Sequence, residues 1–275
     1  MNEKQRIEAL LKEYGLSAKK SFGQNFLINE GVIHRIVEAM HPQDYEHVIE
    51  IGPGLASLTL PLSEKTKDLI AVDADRDMVK ILSALFANKR NVRIVQSDFL
   101  RFNPNACSKA DDRIFIGNLP YNITSELLEY LLQKGFLSAG CMVQKEVANK
   151  LTYLPGKKDN NALGAFIKAT GELTLVTSVD RSCFSPAPNV DSAFIQINRK
   201  KRVPFTLYPV FRALFKDPNK TIANCLRQFS SYQVGIRYLK EHEPETLSLR
   251  ARQMEADDLV VLAKKILKYS KQKEN

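Results

Sequence analysis

Along residues 1–40 the apolar positions repeat at helical spacing. Ile7, Leu10 and Leu11 share one face of a helix predicted over 3–13, with Gly15 as its stop. Val32, Ile33, Ile36 and Val37 form the stripe of a second helix, over 30–40, which Asn29 is placed to cap. Between them runs a polar loop, Lys19 to Leu27, that carries two phenylalanines. From His47 the rhythm changes. Short runs rich in β-branched residues, at 47–51, 68–72, 92–96, 113–117 and 140–143, read as buried strands. Helical segments fall between them, one ending near Glu64, one over 76–87 and one over 125–133. Strands alternating with helices predict a parallel sheet covered on both faces. The alternation then breaks. Residues 172–179 and 192–198 read as an antiparallel pair, and after Arg199-Lys200-Lys201-Arg202 the pattern is helical to the end. The fold class is therefore α/β, Rossmann-like, with a smaller helical C-terminal domain. The basic quartet and Pro204 put the boundary near 200, giving domains of residues 1–200 and 201–275.

Composition narrows the function without naming it. A chain of 275 residues, 44% hydrophobic and 26% charged, has ordinary globular make-up and room for a large and a small domain. No run approaches the ~18 apolar residues of a membrane span, and the polar N-terminus resembles neither a secretory signal nor a transit peptide. No membrane association is expected, and the cytoplasm is the expected location. Cys107, Cys141, Cys183 and Cys225 lie far apart, and His34, His41, His47 and His242 fall outside ligand spacing. Reduced thiols and no metal site follow. Charge is more informative. From Arg199 to Asn275 there are 17 Lys+Arg and 8 Asp+Glu, whereas the first 198 residues hold 23 of each, so the whole net charge of +9 lies in the last quarter. A neutral body with a basic end is the footprint of a protein that meets a polyanion there; a solubilising surface is the alternative.

In an open parallel sheet, ligands bind beyond the carboxyl ends of the strands. Those ends carry Glu50-x-Gly52-x-Gly54, Asp73, Asp98 and Asn118-Leu119-Pro120-Tyr121. The glycines let a turn pass close to a ligand. Asp73, 21 positions beyond Gly52, suits a ribose diol, and Asp98 is placed to accept from an adenine amine. A dinucleotide and S-adenosylmethionine both fit such a set. Ser57 stands where the dinucleotide fingerprint places its third glycine, and the second half of a dinucleotide fold is missing, which favours S-adenosylmethionine. Read alone, Asn118–Tyr121 describe a strand ending in a proline turn. Beside two glycines and two acids they form a grip for a planar heterocycle with an exocyclic amine.

At this point the residues resemble a known family. Asn118-Leu119-Pro120-Tyr121 is similar to the N-L-P-Y motif of adenine-N6 methyltransferases, and Gly23-Gln24-Asn25-Phe26-Leu27 resembles the entry motif of the ribosomal RNA adenine dimethyltransferases. Glu50–Leu55, Gln144–Ala148, Pro155-Gly156, Phe184–Ser192 and Leu249–Arg252 resemble that family in the same order. The Gly-Pro-Gly-Leu turn, the Gln144–Ala148 segment and the substantial helical C-terminal part look more like the small-subunit enzymes than the resistance enzymes of the large subunit. Three departures stand out. Ala56 replaces a usual third glycine, Asp73 a commoner Glu, and 216–221 lacks the usual arginines.

The resemblance implies a class I S-adenosylmethionine-dependent methyltransferase. Its reaction would dimethylate two adjacent adenines in the 3′-terminal hairpin of 16S rRNA, within the immature small subunit, from four molecules of S-adenosylmethionine. A monomer is expected. Asn25, Leu27, Gly52, Asp73, Asp98 and Asn118 would bind the cofactor, with Asn25 and Leu27 closing over it. The Asn118 oxygen and the Leu119 carbonyl would accept the two N6 hydrogens, and Pro120 would stiffen the backbone there. Tyr121 and Phe184 would stack on the extruded base, a contact worth ~1–3 kcal/mol per base. Lys20, Arg199, Lys200, Lys201, Arg202, Lys220 and Arg227 are read as phosphate contacts. Two other classes stay open from sequence: a non-catalytic RNA-binding assembly factor of this fold, and a nicotinamide-dependent oxidoreductase.

Overall fold

The alternation read from the sequence is present in the structure, a computed structural model that describes residues 1–19 and 23–271. The N-terminal part holds α1 (Glu3–Glu13), the short strand β1 (Phe26–Leu27) and α2 (Glu30–Met40). Next come β2 (His47–Ile51), α3 (Thr59–Lys65), β3 (Leu69–Asp73), α4 (Arg76–Leu85), β4 (Val92–Gln96), β5 (Arg113–Asn118), α5 (Thr124–Lys134) and β6 (Ser138–Gln144). They are followed by α6 (Lys145–Leu151), α7 (Ala162–Thr170), β7 (Gly171–Val179), β8 (Phe184–Ser185) and β9 (Ser192–Arg199). Further helices run from Tyr208–Leu214 to Ala256–Lys271.

Contacts divide the chain into two units, Met1–Ala148 with Thr174–Asn198, and Asn149–Leu173 with the chain from Arg199 on. In the first, seven strands lie in the order β4-β3-β2-β5-β6-β9-β7. β2, β3, β4, β5 and β6 pair in parallel, and β9 runs antiparallel to β6 from Ser138↔Asn198 to Gln144↔Ser192. The pair expected at 172–179 and 192–198 thus extends the same sheet, with β9 inserted between β6 and β7. The α2 stripe of Val32, Ile33, Ile36 and Val37 is buried, as its spacing requires, and Asn29 caps the helix by accepting from the Val32 N–H. Sequence order reverses between β2 and β5: β3 lies on one side of β2, β5 on the other. That reversal opens a crevice at the strand ends, where open α/β sheets bind ligands.

The second unit departs from the boundary at 200. Residues 149–173, placed with the larger domain by the sequence, belong with the C-terminal helices. The reason is apolar packing and a set of carbonyl contacts. The Phe166 ring lies edge-on to Phe205, Tyr208 and Phe211, and Tyr153 packs edge-on against Phe215. Tyr153 donates its hydroxyl to the Met254 carbonyl at 2.7 Å. Gly156, at φ 88, donates its N–H to the Arg252 carbonyl and accepts from the Arg252 guanidinium. Pro155-Gly156 and Leu249–Arg252, far apart in sequence, therefore meet in this unit. The unit carries 21 Lys+Arg against 10 Asp+Glu, and the larger one 19 against 21.

At the crevice the sheet leaves no room for a side chain at residue 117. A Cβ there would lie 2.6 Å from the Ile51 carbonyl oxygen and 2.9 Å from the Ile51 Cβ. Gly117→Ala is expected to destabilise the protein by about 1–3 kcal/mol, the usual cost of overpacking, and denaturant unfolding measures it. An unchanged midpoint would show that β2 and β5 separate freely here.

Candidate active site

A cavity of about 270 Å³ opens at the ends of β2, β3, β4 and β5. Every residue expected to bind the cofactor lines it: Asn25, Leu27, Gly52, Asp73, Asp98 and Asn118. Leu119, Pro120 and Tyr121 line it too. The turn after β2 takes Gly52 and Gly54 through left-handed backbone, at φ 65 and 53, and Ala56 follows at φ 71. A Cβ on Gly54 would lie 3.2 Å from the Phe26 ring, so the entry loop packs against this turn. Left-handed backbone costs an alanine roughly 1–2 kcal/mol, but the Ala56 methyl is fully buried and recovers ~0.8 kcal/mol. The turn keeps its path without the third glycine.

Three carboxyl groups stand in the cavity wall. Asp73 is 8% exposed and accepts from the Gly54 N–H at 3.1 Å and the Asp75 N–H at 2.8 Å. Burial pushes its carboxyl up to about 6, against the pull of those N–H groups. Glu50 is fully buried, and burial, helped by the Asp73 charge, pushes it up to about 8. Its Oε2 has no hydrogen-bond partner. Asp98 is exposed at the far end and accepts from the Leu100 N–H. A buried carboxyl with an unpartnered oxygen favours a ligand that brings a positive charge or a donor. S-adenosylmethionine, with its sulfonium, ammonium and ribose hydroxyls, fits this set; a pyrophosphate would meet three acids.

On the other wall Asn118 is half-buried, and its Nδ2 donates to the Asn25 carbonyl at 2.8 Å. A carbonyl only accepts, so the group facing it is the NH2, and Oδ1 is left as an acceptor. The Tyr121 hydroxyl pairs with the fully buried Ser192 Oγ, and burial, opposed by that contact, raises the phenol above its ordinary range. The hydrogen bond ties the ring to the first residue of β9, a link that sequence reasoning missed. Gln24 and Asp75 were missed as well, although Gln24 sits inside a motif read from the sequence and Asp75 two residues past Asp73.

Phe184 requires a correction. It is 3% exposed and does not line the cavity. Its backbone pairs with Leu27 in the small sheet of β1 and β8, and its ring belongs to the core cluster with Phe26 and Leu27. Among the basic residues, Lys200, Lys201, Arg202, Lys220 and Arg227 are exposed in the second unit, and Arg199 is half-buried there. Lys201 pairs with Asp257 and Lys220 with Asp217. Lys20 lies outside the described residues. Among the described residues no helix is long and apolar enough to cross a membrane, and no cluster of His, Cys, Asp and Glu is arranged to hold a metal.

The strand order, the glycine turn and the acids at successive strand ends define an S-adenosylmethionine-dependent methyltransferase. Comparisons with known proteins make the class specific. The family model for Ribosomal RNA adenine dimethylase matches residues 15–241. The chain is 41% identical over 215 residues to "Ribosomal RNA small subunit methyltransferase A" of Metamycoplasma arthritidis, covering 76% of this chain and 81% of that one. With the protein of the same name from Thermotoga maritima it shares 34% over 257 residues, covering 93% and 88%. In fold it is similar to a dimethyladenosine transferase from Plasmodium falciparum, at TM-score 0.71 and 22% identity over 86% of this chain and 95% of that one. It is also similar to the 23S rRNA methyltransferase ErmE, at TM-score 0.64 and 23% identity over 88% and 99%. The chain belongs to the ribosomal RNA adenine dimethylase family. The nicotinamide alternative falls with that assignment.

Asp73 gives the site a pH signature. The ribose diol expected at Asp73 would donate to its ionised carboxylate, and such binding would favour loss of the proton that the free protein holds below about 6. The Asp73 contribution to cofactor affinity is therefore expected to fall with acidification, by up to about tenfold per pH unit below that value. Calorimetric titration across this range tests it. Asp73→Asn should flatten the dependence; a profile that it leaves unchanged would remove Asp73 from cofactor binding.

Proposed function

We propose that this protein dimethylates the N6 amines of two adjacent adenosines in the 3′-terminal hairpin of 16S rRNA, acting on the immature small subunit as a cytoplasmic monomer. The observation that carries the reading is the Asn118 amide: the residue lines the cavity, and its NH2 is committed to the Asn25 carbonyl, which leaves Oδ1 free of that contact as an acceptor. Adenine N6 is a poor nucleophile because its lone pair is delocalised into the ring. Asn118 Oδ1 and the Leu119 carbonyl accept its two hydrogens and favour a pyramidal nitrogen with a localised lone pair. Pro120, bonded to the Leu119 carbonyl, stiffens the backbone immediately after them and brings no competing N–H. Tyr121, tethered through Ser192, offers a face to the extruded base. The bound cofactor supplies the electrophilic methyl on a sulfonium. The chain's share of the rate is alignment, since no nucleophile of its own is required. After the first transfer one N6 hydrogen remains, and one of the two acceptors is released.

The printed names of the relatives support the small subunit as the target. The charge distribution supports a nucleic acid partner: the excess of basic residues lies in the second unit. We assign Arg199, Lys200, Lys201, Arg202, Lys220 and Arg227 to phosphate contacts there. An assembly factor without catalysis would need none of the geometry at Asn118. Incubation with immature small subunits and methyl-labelled S-adenosylmethionine is expected to place label in N6,N6-dimethyladenosine. Asn118→Ala should lower transfer by about 100-fold or more, since a donor-acceptor contact to the reacting group is lost. Absence of label with the wild-type protein, or near-normal turnover by the variant, contradicts the reading.

A further inference from the structure

The entry loop is tied to the sheet at a point outside the chemistry described so far. Asp75, two residues past the end of β3, is 2% exposed. Its Oδ2 accepts from Gln24 Nε2 at 2.8 Å. Its Oδ1 accepts from Lys19 Nζ at 2.7 Å and from the Asp77 N–H at 3.0 Å. Gln24 Oε1 accepts from the Lys19 N–H at 2.9 Å, so both ends of the glutamine amide are committed. Lys19 Nζ also reaches Asp77 at 2.6 Å. The residue after Gln24 is Asn25, whose carbonyl receives Asn118 Nδ2. On its other side the Asp75 N–H donates to Asp73 Oδ1. Burial pushes the Asp75 carboxyl up, yet the Lys19 ammonium, the Asp77 N–H and the Gln24 amide outweigh it and hold the group below its ordinary range.

We propose that Asp75 is a positioning residue for methyl transfer: through Gln24 and Lys19 it fixes the Asn25 carbonyl, and through that carbonyl the direction of the Asn118 amide. The inference rests on Asn118 as the acceptor of the target amine. An asparagine amide is nearly symmetric in shape, and what separates its two orientations is where its hydrogen bonds go. Turned around, Asn118 would set its Oδ1 against the Asn25 carbonyl oxygen, acceptor facing acceptor, and would present its NH2 to an amine that also donates. One hydrogen bond biases the orientation by roughly 3–10-fold, so a displaced carbonyl leaves a mixture of productive and unproductive sites. Asp75 touches neither cofactor pocket nor base in this scheme; it acts through the loop.

Asp75→Asn keeps an oxygen to cap α4 but sets an NH2 against the Gln24 NH2. Adding Gln24→Glu to that variant restores an acceptor opposite a donor. Gln24→Leu is a second route, since it cuts the tether and leaves Asp75 untouched at the helix cap. The direct readout is exchange of the Asn118 side-chain amide protons with solvent, followed by NMR and needing no RNA. Exchange is expected to speed about 3–10-fold in Asp75→Asn and Gln24→Leu and to return in the double variant. In the transfer assay kcat should fall about tenfold and recover with the pair, while cofactor Kd stays within about threefold in Asp75→Asn, whose side chain does not line the cavity. Unchanged Asn118 exchange in both single variants would overturn the proposal, as would a loss of kcat that the double variant does not recover. If exchange responds as stated but the wild-type protein transfers no methyl to RNA, the tether stands and the assigned reaction falls.

Discussion

One hydrogen bond between residues 93 positions apart, from Asn118 Nδ2 to the Asn25 carbonyl, fixes what the site is able to do. It joins the end of β5 to the loop ahead of β1. In the proposed reaction it decides which end of an amide the substrate meets. The surrounding structure serves to keep that contact in place. Gly117, immediately before Asn118, lets β5 lie against the Ile51 carbonyl, closer than any side chain would permit. Phe26, immediately after Asn25, packs on the glycine turn that follows β2. The small sheet of β1 and β8 holds the far end of the loop, with Leu27 opposite Phe184.

The electrostatics divide along the same lines. The larger unit is slightly acidic and gathers Glu50, Asp73 and Asp98 around the cavity, while the basic excess belongs to the other unit. A buried carboxyl is costly unless donors or a cation compensate it. Asp73 has two backbone N–H groups as partners, and Glu50 keeps an oxygen with none. That imbalance suits a cationic cofactor, whose charge a carboxyl-lined pocket stabilises, and the basic excess of the second unit suits a polyanionic substrate.

The sequence made the sheet legible because its strands are short, β-branched and buried on both faces, and because each ends at a residue of distinct chemistry. Gly52, Asp73, Asp98 and Asn118 therefore fall at one crevice on the sequence pattern alone. What escaped depends on contacts between distant segments. Nothing in periodicity shows that Pro155-Gly156 meets Arg252, so 149–173 was placed with the larger domain. Nothing in residue type shows that Phe184 faces the core, since an aromatic before a proline turn serves burial and stacking equally well. Gln24 and Asp75 have ordinary loop identities, and only the distance between them gives them meaning. Ala56 reads as a defect in a glycine motif, yet its buried methyl largely offsets the cost of its backbone.

In the proposed reaction the Asn118 amide directs methyl transfer to adenine N6 in small-subunit rRNA. The most direct measurement is mass spectrometry of that rRNA from cells lacking this protein, complemented either with the wild-type chain or with Asn118→Ala. N6,N6-dimethyladenosine should be absent without the protein, restored by the wild type and not restored by the variant. The modified nucleoside persisting without the protein, or returning with Asn118→Ala, would contradict the claim.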